Sequence, residues 1–462
     1  MTRTLIRGGL VVNATGTLLG DVLVDGERVA AVTTPGLVTE ADRVIEAHNR
    51  YVIPGGVDAH THMEMPFGGT SSHDTFATGT TAAAWGGTTT IIDFAVQARG
   101  TSLLSTLDKW HARADRRCAV DYGFHMIISE VTDGSLKEMR QCVDAGVTSF
   151  KMFMAYPGVF YSTDGEILRA MQRATETGSL VMMHAENGIA IDELVSQALA
   201  AGHTDPIYHG LTRPPELEGE ATARAIQLAR VTGAPLYIVH LSARQALAAV
   251  AQARDTGQNV FAETCPQYLY LSIEDMAKPD FEGAKYVASP PLRTKDHQAD
   301  LWRGLRTNDL SVVSTDHCPF CFKDQKALGR EDFSKIPNGM PGVEHRMDLL
   351  HQGVVAGELS LERWVEVSST TPARMFGLQG RKGVIAAGAD ADIVVYDPAA
   401  RQRISALTHH MNVDYSAYEG MEITGRVETV LSRGSVVIAD GTFHGHEGHG
   451  EFLPRGLSHY LI

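Results

Sequence analysis

Short β-rich runs open the chain, an alternation of apolar runs and helical patterns fills its middle, and β-rich runs close it. Near the start, Leu10-Val11-Val12, Asp21-Val22-Leu23-Val24 and Val29-Ala30-Ala31-Val32 read as strands, with a hairpin turn at Asp25-Gly26. Near the end, Ala391 to Asp397, Thr429-Val430-Leu431 and Val436-Val437-Ile438 read the same way, with Arg433-Gly434 between the last two. No long helical pattern interrupts either group. Residues 1–54 and 386–440 are therefore expected to build one small β-sandwich-like domain from both ends of the chain.

The middle, residues 55–385, behaves differently. Apolar runs such as Thr88 to Phe94, Ala119 to His125, Ser149 to Met154, Leu180 to His184, Leu236 to His240, Val260 to Glu263 and Leu310 to Ser314 are separated by helix-like segments. Glu220 to Val231 and Ser242 to Gln252 carry apolar residues at helical spacing. Apolar strands alternating with helices mean βα units around a buried parallel sheet. Eight such units over about 330 residues fit a TIM-type (β/α)8 barrel with insertions. A doubly wound sheet is the alternative, but no GxGxxG follows the first strand. Residues 441–462, rich in Gly and His, are expected to form an extended solvated tail that touches a neighbouring subunit, with His444, His446 and His449 outside any built metal site.

Composition narrows the partners. A formal net charge of −15 argues against nucleic acid or an anionic membrane as the main partner. No apolar segment is long enough to span a bilayer, and no signal-peptide pattern opens the chain, so a cytoplasmic enzyme is expected. Five scattered cysteines fit a reducing compartment. Cys318 and Cys321 form a CxxC without a second pair to complete a structural zinc site, so both are expected to be free, buried thiols.

The chemistry starts at Asp58-Ala59-His60-Thr61-His62, at the end of an apolar run. Histidines at i and i+2 point the same way from an extended chain and can grip one divalent ion. Catalytic groups of a barrel sit at the C-terminal ends of its strands. Those ends supply His60, His62, Lys151, His184, His240 and Asp316. Four imidazoles and a carboxylate are too many for one four-coordinate catalytic metal with an open position, so two divalent ions are expected, zinc being the best match. Two close cations need an anionic bridge. Lys151, desolvated beside cations, loses its proton readily, and the neutral amine can capture carbon dioxide as a carbamate. An ion pair between Lys151 and Glu263 is the competing structural reading.

These residues stand within longer motifs: PGGVDAHTHMEMPFGGT (54–70), GGTTTIIDF (86–94), FKMFMAY (150–156), VMMHAENG (181–188), DPIYHGLTRPPELEGEATARA (205–225), ETCPQYLYL (263–271), FEGAKYVASPPLR (281–293), IPNGMPGVEHR (336–346) and HHMNVDYSAYEGMEITG (409–425). Over nearly its whole length the chain resembles the D-hydantoinase/dihydropyrimidinase family of cyclic amidohydrolases. HxH alone indicates only the wider amidohydrolase superfamily, whereas FKMFMAY and TRPPELEGEA point to this branch.

The resemblance implies that His60, His62 and Asp316 hold one metal, that His184 and His240 hold the other, and that Lys151, as N6-carboxylysine, bridges them. It implies that Tyr156 donates to the developing oxyanion, that Asp316 shuttles the proton, and that backbone groups at Ser289 and Asn338 hold the cyclic ureide. Met63, Met65, Phe67, Phe153 and Phe160 fall where the family has its pocket-shaping loops. The implied reaction is ring opening of 5-substituted hydantoins or 5,6-dihydropyrimidines to N-carbamoyl amino acids, by a homotetramer. Allantoinase or dihydroorotase activity is the runner-up, since Asp316-His317-Cys318-Pro319 is similar to allantoinases. The apolar and Met residues favour an apolar ring substituent over the carboxylate of dihydroorotate. A non-enzymatic tetrameric scaffold is the alternative from another class, which the full ligand set disfavours. Alternation turns His317 away from Asp316, so it is expected to support the site or pack rather than ligate.

Overall fold

The computed structural model describes residues 2–461. Eight parallel strands form the central sheet: Gly56–Thr61, Thr88–Val96, Asp121–Ile127, Ser149–Phe153, Leu180–His184, Leu236–Ile238, Val260–Thr264 and Val312–Val313. Each pairs with the next in chain order. A parallel bridge between Thr61 and His317 brings the last strand's exit back to the first and closes the ring. Helices such as Phe76–Trp85, Leu103–Ala114, Asp133–Asp144, Asp164–Thr177, Pro215–Thr232 and Arg244–Asp255 alternate with the strands. This is the expected TIM-type barrel. Its strands read as apolar runs because both faces are covered; all nine residues of Thr88–Val96 are buried.

A second, nine-stranded sheet joins the two ends of the chain. Tyr51–Pro54 lies at its centre, pairing in parallel with Arg3–Asn13 and antiparallel with Ile393–Arg403. Only Gly55 separates Tyr51–Pro54 from the first barrel strand. The strand that leads to His60 and His62 is thus anchored at its upstream end by sheet hydrogen bonds. Ile6, Val22, Val24, Val52, Ile393, Val395 and Leu431 form a separate apolar core for this sheet. Lys382, buried, bonds Asp121 at 2.6 Å and Asp392 at 2.7 Å, so one ammonium ties the start of a barrel strand to the sheet.

The end of the chain departs from the expected solvated arm. Tyr122 N–H donates to Glu451 O at 3.0 Å, and Leu453 N–H to Tyr122 O at 2.7 Å. Leu453 is fully buried, and the buried Arg455 guanidinium bonds Ser149 Oγ at 2.9 Å. Residues 451–455 therefore plug the N-terminal end of their own barrel. Phe452 and Leu453 supply the apolar contact that the surrounding Gly and His residues obscure in the sequence.

Candidate metal centre

The first barrel strand carries His60 near its end and His62 follows it directly, and the chain after the last strand delivers Asp316 beside them. The two Nε2 atoms lie 3.2 Å apart, and Asp316 Oδ1 is 3.2 Å from His60 Nε2 and 3.1 Å from His62 Nε2. Among the described residues this is the only group of three such side chains whose ligand atoms lie within 4.8 Å of one another. Burial, with Lys151 adding for His60, holds both imidazoles below their ordinary pKa, so they are neutral electron-pair donors. Burial raises the Asp316 carboxyl, but His60, His62 and Lys151 outweigh it and bring it down to about 2.

Glu263 fixes the orientation of His60. Its carboxylate contacts His60 Nδ1, accepts from Tyr237 O–H at 2.9 Å and accepts from His240 N–H at 3.1 Å. With Nδ1 occupied, His60 Nε2 faces the site, the arrangement by which a carboxylate aims a metal-binding imidazole. Glu186 does the same for His184, at 2.7 Å from its Nε2. His184 and His240 pack edge-on with ring centroids 4.6 Å apart, and His240 lies 5.3 Å from His60. They stand next to the His60–His62–Asp316 group without joining it.

Lys151 Nζ lies 3.0 Å from His60 Nε2, above the faces of Phe94 at 4.4 Å and Phe153 at 4.9 Å. Among the described residues it makes no ion pair; the competing pairing with Glu263 does not form, because Glu263 is spent on His60, Tyr237 and His240. Burial lowers the Lys151 ammonium to about 8, against the attraction of Asp316 and Glu263. The donor set fits divalent metal. Two neutral imidazoles and one carboxylate converge through His60 Nε2, His62 Nε2 and Asp316 Oδ1, the donor types that hold zinc-like divalent ions.

Three residues here adopt left-handed backbone: Tyr156 at φ 60°, His240 at 38° and Asp316 at 52°. Non-glycine residues pay for this conformation, and it persists where surrounding structure enforces it. For Tyr156 the enforcement is visible, since its carbonyl accepts from Val159, Phe160 and Tyr161 N–H.

A family model described as the amidohydrolase family matches residues 51–437. The D-hydantoinase of Streptomyces coelicolor is 66% identical over 464 residues, spanning 100% of this chain and 99% of that protein. The chain belongs to the D-hydantoinase/dihydropyrimidinase family. The dihydropyrimidinase of Brevibacillus agri superposes with a TM-score of 0.97 at 50% identity, covering 99% of each chain. The L-hydantoinase (dihydropyrimidinase) of Arthrobacter aurescens superposes less closely, with a TM-score of 0.89 at 31% identity, covering 98% of this chain and 99% of that one. These relatives favour hydantoinase and dihydropyrimidinase chemistry over allantoinase, dihydroorotase or scaffold function.

Beside these histidines and Asp316 lies a cavity lined by Met65, Phe67, Phe153, Phe160, Tyr156, Ser289, Asn338 and Cys318. Four of the five residues expected to shape the hydantoinase pocket are present. Met63 is not: it is fully buried, with its sulfur against Gly79 of the helix Phe76–Trp85. Asn338 Nδ2 lies 3.2 Å from Ser289 Oγ and 3.4 Å from the Tyr156 hydroxyl, so these three residues form one polar edge. Cys318 and Cys321 are free and buried, as expected. His317 faces away from the His60–His62–Asp316 group: its Nδ1 accepts from Gly342 N–H at 3.0 Å and its Nε2 lies 3.0 Å from Asp74.

The sequence reading missed Phe94 and Glu186. Phe94 stacks within 5.0 Å of His62 and 4.6 Å of His60, flooring the site. Its position near the end of an apolar strand was the available signal. Glu186, two residues beyond His184, could have been found from that spacing.

Proposed function

We propose that this enzyme hydrolyses the ring of cyclic ureides, taking 5-substituted hydantoins to N-carbamoyl amino acids and 5,6-dihydropyrimidines to N-carbamoyl-β-amino acids. The observation that carries this reading is the convergence of His60, His62 and Asp316 beside an unpaired, buried Lys151, under a cavity walled by Met65, Phe67, Phe153 and Phe160. In this reading His60, His62 and Asp316 hold one divalent ion, His184 and His240 hold a second, and Lys151 bridges them as N6-carboxylysine. Zinc suits these imidazole and carboxylate ligands. When bound, the ions supply a Lewis acid and a water ionised near neutral pH.

Asp316, ionised at neutral pH, takes the proton of the attacking water and passes it to the leaving ring nitrogen as the C–N bond breaks. Tyr156 donates its hydroxyl proton in a hydrogen bond to the carbonyl oxygen as charge develops there. Burial, reinforced by Glu186, pushes the Tyr156 hydroxyl up to about 12, so it is a donor across the working range. Backbone groups at Ser289 and Asn338 hold the ureide edge, and the apolar wall receives the substituent. The family resemblance supports a cytoplasmic homotetramer; among the described residues no helix is long and apolar enough to cross a membrane.

A substrate panel on metal-replete enzyme tests the reading. Turnover of 5-phenylhydantoin and dihydrouracil is expected, with the D-N-carbamoyl product from the former by chiral chromatography. Turnover confined to allantoin or dihydroorotate would overturn it. Tyr156→Phe, at full metal content, is expected to lower kcat by about 10- to 1,000-fold with a smaller change in KM. An unchanged kcat would remove Tyr156 from the reaction.

A further inference from the structure

We propose that Lys326 is a positioning residue for the substrate, its side chain clamping into one rigid edge the two backbone segments that carry Ser289 and Asn338. The inference rests on the reading that those segments meet the ureide.

Lys326 opens the short 3-10 helix Lys326–Gly329 and is fully buried. Its Nζ donates to three backbone carbonyls: Val287 O at 2.8 Å, Pro337 O at 2.7 Å and Gly339 O at 2.8 Å. Three donors meet three acceptors, which is the full capacity of an ammonium. The first carbonyl lies two residues before Ser289, and the other two flank Asn338. The segments are already joined once, by Gly339 N–H to Val287 O at 3.0 Å. Gly339 also lies against the segment after Asp316. A Cβ there would stand 2.2 Å from Cys318 O, and Cys318 N–H donates to Met340 O at 3.2 Å. The clamp therefore holds the ureide edge in register with the chain that delivers Asp316.

Stability alone explains this lysine poorly. Among the described residues it has no carboxylate partner, so a buried charge is offset by carbonyl dipoles and by the Phe320 ring face, 5.9 Å from Nζ. Burial lowers its pKa to about 7, with only Cys318 opposing. An uncompensated buried charge is costly, and a neutral chain could fill the same volume. What a neutral chain cannot do is bind three carbonyls from two segments at once.

The test is kinetics of Lys326→Met and Lys326→Gln with unsubstituted hydantoin and with 5-phenylhydantoin, at matched metal content. For Lys326→Met, KM is expected to rise and kcat/KM to fall by about 10- to 100-fold, as for a small displacement of a positioned substrate. Lys326→Gln, with two N–H donors left, is expected to fall between this variant and wild type. The loss should be the same for both substrates to within about twofold, because the clamp acts on the shared ureide and not on the substituent. A merely structural lysine would lower the active fraction, and so kcat, with KM unchanged. The proposal is overturned by unchanged KM, by a loss confined to 5-phenylhydantoin, or by failure of both variants to fold as metal-replete protein. Wild-type turnover of both substrates, measured alongside, separates these failures from a failure of the ring-opening reading.

Discussion

Lys151→Ala is expected to lose bound metal and with it almost all turnover. The structure places the Lys151 amine 3.0 Å from His60 Nε2 and over two aromatic faces, with no carboxylate paired to it. A permanently protonated amine at that position would repel any cation held by His60. Burial brings its pKa down to about 8, which makes the neutral, carbon dioxide-capturing form accessible. On the proposed reading, carbamate formation would change the same side chain from a repulsive to an attractive group toward the divalent ions. On the same reading, alanine would remove that bridge and leave only His184 and His240 to hold a second ion. Metal content by elemental analysis should fall well below that of wild type. The kcat should fall by more than about 10³-fold, beyond the loss of a single oxyanion donor. Lys151→Arg should fare no better, because a guanidinium keeps its charge and forms no carbamate. Short carboxylates added to Lys151→Ala should restore part of both properties. Unaltered metal content in either variant would defeat the bridging role.

The barrel and much of the centre were legible because both rest on periodicities. Strand alternation aims His60 and His62 together, and βα alternation puts Lys151, His184, His240 and Asp316 at the same end of the sheet. That logic stops where the chain leaves the strand. Glu64, with φ 53°, turns the backbone, so Met63 drops into the core against Gly79 while Met65 reaches the cavity. Contacts between distant segments were illegible for the same reason. Glu263 lies 203 residues from His60, and no local pattern says whether it serves that histidine or Lys151. Lys326 sits in polar surroundings in the sequence, and Arg455 lies in a Gly- and His-rich tail, so both look solvated. Their burial follows from loops that fold over them, and loop paths are not set by apolar period.

Asp316→Asn is expected to keep the shape of the site and lose the reaction. The carboxylate stands within 3.2 Å of two imidazoles, and those neighbours with Lys151 hold its pKa near 2 despite burial. It is therefore a proton acceptor throughout the neutral range. Its left-handed backbone, at φ 52°, suits asparagine as well as aspartate, so the substitution leaves the local conformation undisturbed. An amide retains an oxygen for a metal held by His60 and His62 but has no basicity. Metal content should thus fall modestly, while kcat falls by about 10²- to 10⁴-fold, the range for a lost general acid–base. KM should change little, because the cavity wall and the Ser289–Asn338 edge are untouched. The two roles separate in one comparison. If Asp316 were a ligand only, excess metal would restore kcat in Asp316→Asn; if it also moves the proton, metal-saturated Asp316→Asn stays slow. Recovery of more than about a tenth of wild-type kcat on saturation would refute the proton-transfer role.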